Sequence, residues 1–233
     1  MKKILSIIYS LLILSFAAIG QQNMKGFGIE PNLYVGRMVK HTPTMIGSPQ
    51  GPSRGLTLNL SYETYGKSVW ESVYNYPVIG FYGRFMNIDN GDIFGEAYFA
   101  APYISFTMKK GVKYRTYIFV GLGGSYLTET YNEATNITNN AISTNWNGAF
   151  NLRYGYQYKL AEHWTFTSSI GINHFSNAGV SPKNLGINIC DAQVGLRFTP
   201  NPVQQADYKT TPDVLPLPEK RWSVETAFHT GFE

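Results

Sequence analysis

Hydrophobic and polar residues alternate along much of the chain after residue 25, which is the period of a β-strand. The longest example is 146–160, WNGAFNLRYGYQYKL, in which the even positions are mainly aromatic or aliphatic and the odd positions are polar or small. A run of this length exceeds most strands of soluble proteins but suits a tilted strand of a transmembrane barrel. The pattern therefore predicts an amphipathic, membrane-spanning strand.

Similar runs predict seven further strands, for example 55–65 with apolar residues at its even positions. The eight predicted strands cover 26–37, 55–65, 77–87, 94–108, 114–128, 146–160, 163–176 and 188–198. An even number of amphipathic strands is what antiparallel closure of a bacterial outer-membrane barrel requires. The predicted fold class is all-β, an eight-stranded antiparallel up-and-down transmembrane β-barrel with a C-terminal extension.

The connections between the predicted strands differ in length. Those at 88–93, 109–113 and 161–162 are short, and those at 38–54, 66–76, 129–145 and 177–187 are longer. We interpret this as the alternation of short periplasmic turns and longer outer loops, which places the 177–187 connection at the outer-leaflet end.

The alternation alone also fits a water-soluble lipocalin-like barrel, which would hold its apolar residues inside. The aromatic residues separate the two alternatives. Tyr154, Tyr156 and Tyr158 share one face of a single strand, which is typical of an interfacial aromatic girdle in a membrane protein. We therefore favour the membrane barrel, with the apolar face of each strand towards lipid.

The two ends of the chain lie outside this pattern. Two lysines, the apolar run ILSIIYSLLILSFA and small residues up to Gly20 predict a secretory signal peptide over 1–20, since the run is short for a membrane anchor. The barrel is then expected over 21–198. Residues 199–233 are predicted to form a Pro-rich linker and C-terminal tail, whose last part alternates again and fits either a packed tail segment or the start of a further strand or domain.

The composition agrees with this interpretation. Charged residues make up 15% of the chain, against about 25% in soluble domains. The single cysteine, Cys190, cannot form an intramolecular disulfide. The net charge of +4 is spread along the chain without a basic run, which argues against nucleic acid as a partner.

Residues capable of chemistry interrupt the apolar face at the end of the seventh predicted strand. His174 and Ser176 have the same parity as the apolar residues of 163–176. Residues two apart project from one face about 6.5–7 Å apart at Cα, so both are expected on the lipid-facing side, where a histidine can act as base for a serine nucleophile. Asn188 lies close to His174 if the last two strands pair. A polar strand end at a membrane interface would show the same residue types without any chemistry.

The wider string HFSNAGVSPKN resembles the signature of the PagL-type lipid A 3-O-deacylases and the related bacterial acyloxyacyl hydrolase-like proteins. Their motif has His, any residue, Ser and Asn at a strand end, then a second Asn seven residues after the first. It is matched here by His174, Ser176, Asn177 and Asn184. The resemblance extends over 21–198 and implies an eight-stranded outer-membrane barrel that removes an ester-linked acyl chain from lipopolysaccharide at a site on its outer surface.

The resemblance also implies a mechanism. His174 takes the proton from Ser176, whose oxygen attacks the ester carbonyl. Asn177 and Asn184, with backbone N–H groups near Gly179, would stabilise the developing oxyanion. No cofactor and no metal is implied, and the histidines show no ligand spacing.

The chain departs from the PagL-type enzymes at the third member of the triad, where they carry Glu and this chain has Asn188. An amide can orient an imidazole but cannot stabilise the imidazolium by charge, so slower chemistry or a compensating group is expected. The predicted function is that of an outer-membrane serine esterase acting on lipid A or a similar acylated glycolipid. Its partners would be lipopolysaccharide and outer-membrane lipid, with homodimerisation left open. The alternative is a non-catalytic barrel (structural, adhesin or small-ligand binder) that retains the motif.

Overall fold

The computed structural model describes residues 24–88 and 90–209. The predicted signal peptide and the tail after residue 209 lie outside the described residues. Eight strands form a closed barrel, each antiparallel to both neighbours. They are β1 (Phe27–Val39), β2 (Ser53–Glu63), β3 (Val78–Asn87), β4 (Glu96–Lys110), β5 (Tyr114–Leu127), β6 (Trp146–Lys159), β7 (Trp164–Ser176) and β8 (Ile187–Phe198). The predicted fold class is confirmed, and every strand end lies within two residues of its predicted position.

The alternating pattern sorts the side chains onto the two faces of the barrel. In β6, Phe150 and Tyr154 are exposed, whereas Asn151, Arg153 and Gln157 are buried. The apolar face is therefore the outer one, which is the arrangement of a membrane barrel and the reverse of the lipocalin-like alternative. Within the described part of the chain, no helix is long and apolar enough to span a membrane.

Buried charges fill one part of the barrel interior in fully paired groups. The Asp191 carboxylate accepts hydrogen bonds from Arg84 and Arg153, and these three side chains are at most 2% exposed. Arg197 pairs with Glu30 at 2.9 Å and with Glu63 at 3.3 Å. Removing charges from water is tolerated because each finds a partner of opposite sign.

Aromatic side chains fill another part of the interior. Phe99 contacts Tyr82 and Phe175 edge-on, with ring centroids 4.9 and 5.9 Å apart respectively. Phe175 is fully buried and stands between His174 and Ser176 in sequence. Because its ring is held inside the barrel, its two polar neighbours project from the outer face.

The connections are as short or as long as predicted, but the interpretation of short ones as periplasmic turns and long ones as outer loops is wrong for two of them. The β2–β3 connection, at the end that carries the short turns, is long and includes helix α1 (Val69–Val73). The β3–β4 connection, at the other end, is short and includes helix α2 (Gly91–Phe94). The β2–β3 connection owes its structure to local bonds, since the buried Glu71 carboxylate accepts the N–H groups of Gly66 and Lys67 at 2.7 and 2.9 Å. Strand periodicity contains no information about such contacts.

The first residues after the barrel pack at the end that carries the short turns. Lys25 pairs with Asp207 at 2.6 Å, the Lys209 N–H donates to the Tyr65 carbonyl at 2.9 Å, and the Tyr208 ring meets Tyr76 edge-on. The start of the predicted linker, 199–209, is thus attached to the barrel.

Candidate active site

His174 and Asn188 lie directly opposite each other in the pairing of β7 with β8. The Nδ1 atom of His174 and the Oδ1 atom of Asn188 are 2.8 Å apart. An amide oxygen can only accept, so Nδ1 carries the hydrogen and Nε2 presents its lone pair. An imidazole held in this tautomer can act as a general base through Nε2.

Ser176 lies two residues beyond His174 on the same outer face and is half-buried. Its Oγ atom accepts hydrogen bonds from Asn184 Nδ2 at 3.0 Å and from the Ala178 N–H at 3.1 Å. These two donors use both lone pairs of the hydroxyl, which leaves its hydrogen available to a base. Among the described residues no hydrogen bond joins Ser176 to the His174 ring, and such bonds often form only when substrate is bound.

The loop after β7 folds back on itself through the two asparagines of the motif. Asn184 Oδ1 accepts the Asn177 N–H at 3.2 Å, so the Asn184 amide links Asn177 to Ser176. Asn177 Oδ1 in turn accepts the Gly179 N–H at 3.0 Å. Ala178 and Gly179 both have positive φ, at 56° and 77°, which makes this a tight left-handed turn.

The sequence-predicted oxyanion donors thus fall into two groups. The Asn184 side chain donates a hydrogen bond to Ser176 Oγ. The backbone N–H that donates to the same oxygen belongs to Ala178, the residue before Gly179. The Asn177 side chain and the Gly179 N–H are bonded to each other instead, and Asn177 Nδ2 also donates to Ser143 Oγ at 3.2 Å. In this arrangement Asn177 and Gly179 hold the loop in shape.

Three residues from other connections support this loop and were missed in the sequence. Ser143 bonds Asn177, the Ala141 carbonyl accepts the Gly186 N–H at 2.9 Å, and His41 Nε2 lies 2.9 Å from the Leu185 carbonyl. None of the three belongs to the motif, and their contacts join segments of the chain more than 30 residues apart. No sequence pattern marks them.

Gly186 packs against the ring of His174. Its φ is +78°, and a Cβ atom at this position would lie 2.9 Å from His174 Cε1. The absence of a side chain therefore lets the loop cover one side of the imidazole without displacing it.

An open groove of about 860 Å³ lies on the outer surface of the barrel next to these residues. The pair Ile172 and Cys190, adjacent on β7 and β8 to the pair His174 and Asn188, forms part of its wall. Apart from Arg37, the outward-facing lining is apolar and includes Val35, Leu152, Tyr154, Ile170 and Ala192. Over 24–88 and 90–209 no three His, Cys, Asp or Glu side chains are grouped so as to hold a metal ion. The site thus combines a base, a hydroxyl and two N–H donors beside an apolar groove, which is an arrangement suited to acyl transfer from a lipid.

Comparison with known proteins supports the fold and identifies the family. The family model described as Lipid A 3-O-deacylase (PagL) matches residues 54–197, more than half of the chain, and this range contains the whole motif. No curated protein matches the chain.

Several solved structures are similar in fold. The outer membrane enzyme PagL has 16% sequence identity and a TM-score of 0.52, with 71% of this chain and 97% of that chain covered. Neisserial surface protein A has 9% identity and a TM-score of 0.49, with 75% and 97% covered. The N-terminal β-barrel domain of Pseudomonas aeruginosa OprF has 11% identity and a TM-score of 0.41, with 75% and 98% covered.

Proposed function

Because the chain belongs to the family of lipid A 3-O-deacylases (PagL), we propose that it is an outer-membrane serine esterase that removes an ester-linked acyl chain from lipid A or a similar acylated glycolipid. Family membership indicates the bacterial outer membrane. The observation that carries the proposal is the hydrogen bond between His174 and Asn188, which prepares a base on the outer face beside Ser176.

The first half-reaction forms an acyl-enzyme. His174 Nε2 takes the Ser176 hydroxyl proton as Oγ attacks the ester carbonyl carbon. The oxyanion that develops is stabilised by Asn184 Nδ2 and the Ala178 N–H, the two donors that already meet at Ser176 Oγ. The imidazolium then gives its proton to the departing sugar oxygen, and the acyl group stays on the serine.

The second half-reaction releases the fatty acid. His174 takes a proton from water, which attacks the acyl-enzyme, and the tetrahedral intermediate collapses with return of the proton to Ser176. In both steps the Asn188 oxygen keeps the ring oriented through Nδ1–H but adds no negative charge, so we expect slower turnover than a carboxylate would allow.

The groove beside the site would receive the acyl chain being cleaved. An acyl chain is surrounded by hydrocarbon both in the bilayer and in the groove, so this contact supplies little hydrophobic affinity. Its role is to place the ester carbonyl next to Ser176, and positioning of this kind can account for a large part of a rate enhancement. The outward-facing site also lets a lipid reach the serine without leaving the membrane.

Purified full-length protein in detergent, incubated with lipopolysaccharide, provides the test. We expect release of free fatty acid and loss of one acyl chain from the lipid A mass. Ser176→Ala should abolish both, and Ser168→Ala, on the same outer face of the same strand, should retain them. Heat-modifiable migration in gels reports folding of every variant. If folded wild-type protein and Ser176→Ala leave lipid A equally unchanged, the esterase proposal fails and the non-catalytic barrel is favoured.

A further inference from the structure

A polar cavity of about 510 Å³ lies at the end of the barrel opposite the candidate active site. It is bounded by the β4–β5 turn, the β6–β7 turn and residues of the 199–208 segment. The proposed esterase reaction uses none of its residues, so the cavity can be considered independently of that reaction.

Positive charge dominates this cavity. Two carboxylates, Glu63 and Glu162, face four cations, and Glu63 already accepts a hydrogen bond from Arg197 at 3.3 Å. None of these four cations forms an ion pair with a described residue. They are Lys110, Lys113, Arg115 and Lys159. A concave site in which cations outnumber carboxylates concentrates anions.

A β-bulge turns one of these cations towards the barrel interior. The register of β4 with β5 shifts between Thr107 and Lys109, after which Lys110 lies opposite Arg115. In β5 the odd positions face inward, as the buried Tyr117 and Phe119 show. Lys110 therefore joins Arg115 on the inner side, whereas Lys109, its neighbour, is placed on the outer side opposite Thr116.

Arg115 has unused capacity to bind an acceptor. Its Nη2 atom is buried and has no hydrogen-bond partner. Buried donors are nearly always paired, and a guanidinium matches the oxygens of phosphate or carboxylate with two parallel hydrogen bonds. Burial raises the pKa of Tyr208, in the wall of the cavity, to about 12, so its phenol stays neutral and adds no negative charge.

We propose that this cavity binds an oxyanion of the phosphate class, supplied either as free phosphate or as the headgroup phosphate of a phospholipid in the adjacent leaflet. Arg115 and Lys110 would contact the oxygens, with Lys159 and Lys113 at the rim of the cavity.

Isothermal titration of inorganic phosphate into the full-length protein, in a non-ionic detergent at constant ionic strength, tests the proposal. We expect saturable binding that Arg115→Gln and Lys110→Gln each weaken about tenfold, the loss expected for one charge-assisted hydrogen bond. The matched control is Lys109→Gln, which removes the same charge one residue away on the opposite face and should leave the affinity within about twofold. Lys110 is exposed, so its replacement is less disruptive to folding and remains informative if Arg115→Gln does not fold.

Two further titrants identify the source of the phosphate. Binding of dihexanoylphosphatidylglycerol, but not of dihexanoylglycerol, at higher affinity than inorganic phosphate would indicate a lipid headgroup. Equal or tighter binding of inorganic phosphate would indicate the free anion. The proposal is overturned if no phosphate compound binds, or if Lys109→Gln weakens binding as much as Lys110→Gln. Neither outcome depends on deacylase activity.

Discussion

Asn188 allows the proposed role of His174 to be tested in both directions. Its Oδ1 atom is 2.8 Å from His174 Nδ1, so positive charge on the ring would develop next to a neutral oxygen. Asn188→Asp keeps the size of the side chain and the position of the acceptor, and it adds a negative charge. Asn188→Leu keeps the approximate shape and removes the acceptor.

The expected magnitudes follow from this distance. A unit charge 2.8 Å from an imidazolium contributes about 1.5 kcal/mol at the dielectric constant of water and about 6 kcal/mol at an effective value of 20. Placing a carboxylate at this half-buried position also costs desolvation, which offsets part of the attraction. We therefore take the lower value as the net effect, which corresponds to a rate about tenfold higher for Asn188→Asp. For Asn188→Leu we expect a rate at least about fivefold lower, since a donor left without its partner costs about 1–3 kcal/mol.

The assay is the initial rate of fatty-acid release from lipopolysaccharide at fixed detergent composition, normalised to the heat-modifiable fraction of each protein. The two variants control for each other, because a general defect of folding would slow both. The reasoning is refuted if the three proteins have equal rates, or if Asn188→Asp is slower than wild type while folded normally.

Three further predictions concern the loop, the barrel interior and the attached segment. Gly186→Ala should lose most of the deacylase activity, since its Cβ would lie 2.9 Å from the His174 ring. Gly179 has a similar φ, but a Cβ added there would have no atom within 4 Å, so Gly179→Ala should lose much less activity. Equal losses of activity in the two variants would mean that backbone strain, and not contact with the His174 ring, is the cause. Asp191→Ala leaves Arg84 and Arg153 buried without their carboxylate and should lower the free energy of unfolding in urea by about 3–5 kcal/mol. A urea unfolding midpoint equal to that of the wild type would contradict a stabilising role of these ion pairs. Hydrogen bonds from Lys25 and from the Gln204 N–H lower the pKa of Asp207 below its ordinary value of 3.8. The stability that ionised Asp207 gives to the attached segment is therefore complete above pH 3.8 and is lost as pH falls through the lowered pKa. In the wild-type protein, protection of the Lys209 amide from hydrogen exchange should drop only in acid. In Asp207→Asn the protection should already be reduced at neutral pH.

The alternation of residue types determined the strands and their two faces without help from the structure. A strand projects successive side chains to opposite sides, so a run such as 146–160 defines both an element and the direction of every side chain in it. For the same reason the sequence alone predicted that His174 and Ser176 project from the apolar face. The motif around them then indicated the family that the comparison establishes over 54–197.

Contacts between distant segments were decided by the tertiary structure alone. The register of β7 with β8 brings Asn188 to His174, and the fold of the loop makes Ala178, rather than Gly179, the backbone donor at Ser176. A bulge in β4 reverses the parity of Lys110, and hydrogen bonds to the Glu71 carboxylate determine the internal structure of the β2–β3 connection. Periodicity reports the direction of a side chain along its own strand. Which atoms meet across strands and loops depends on register, bulges and turn conformation, and these are set by packing in three dimensions.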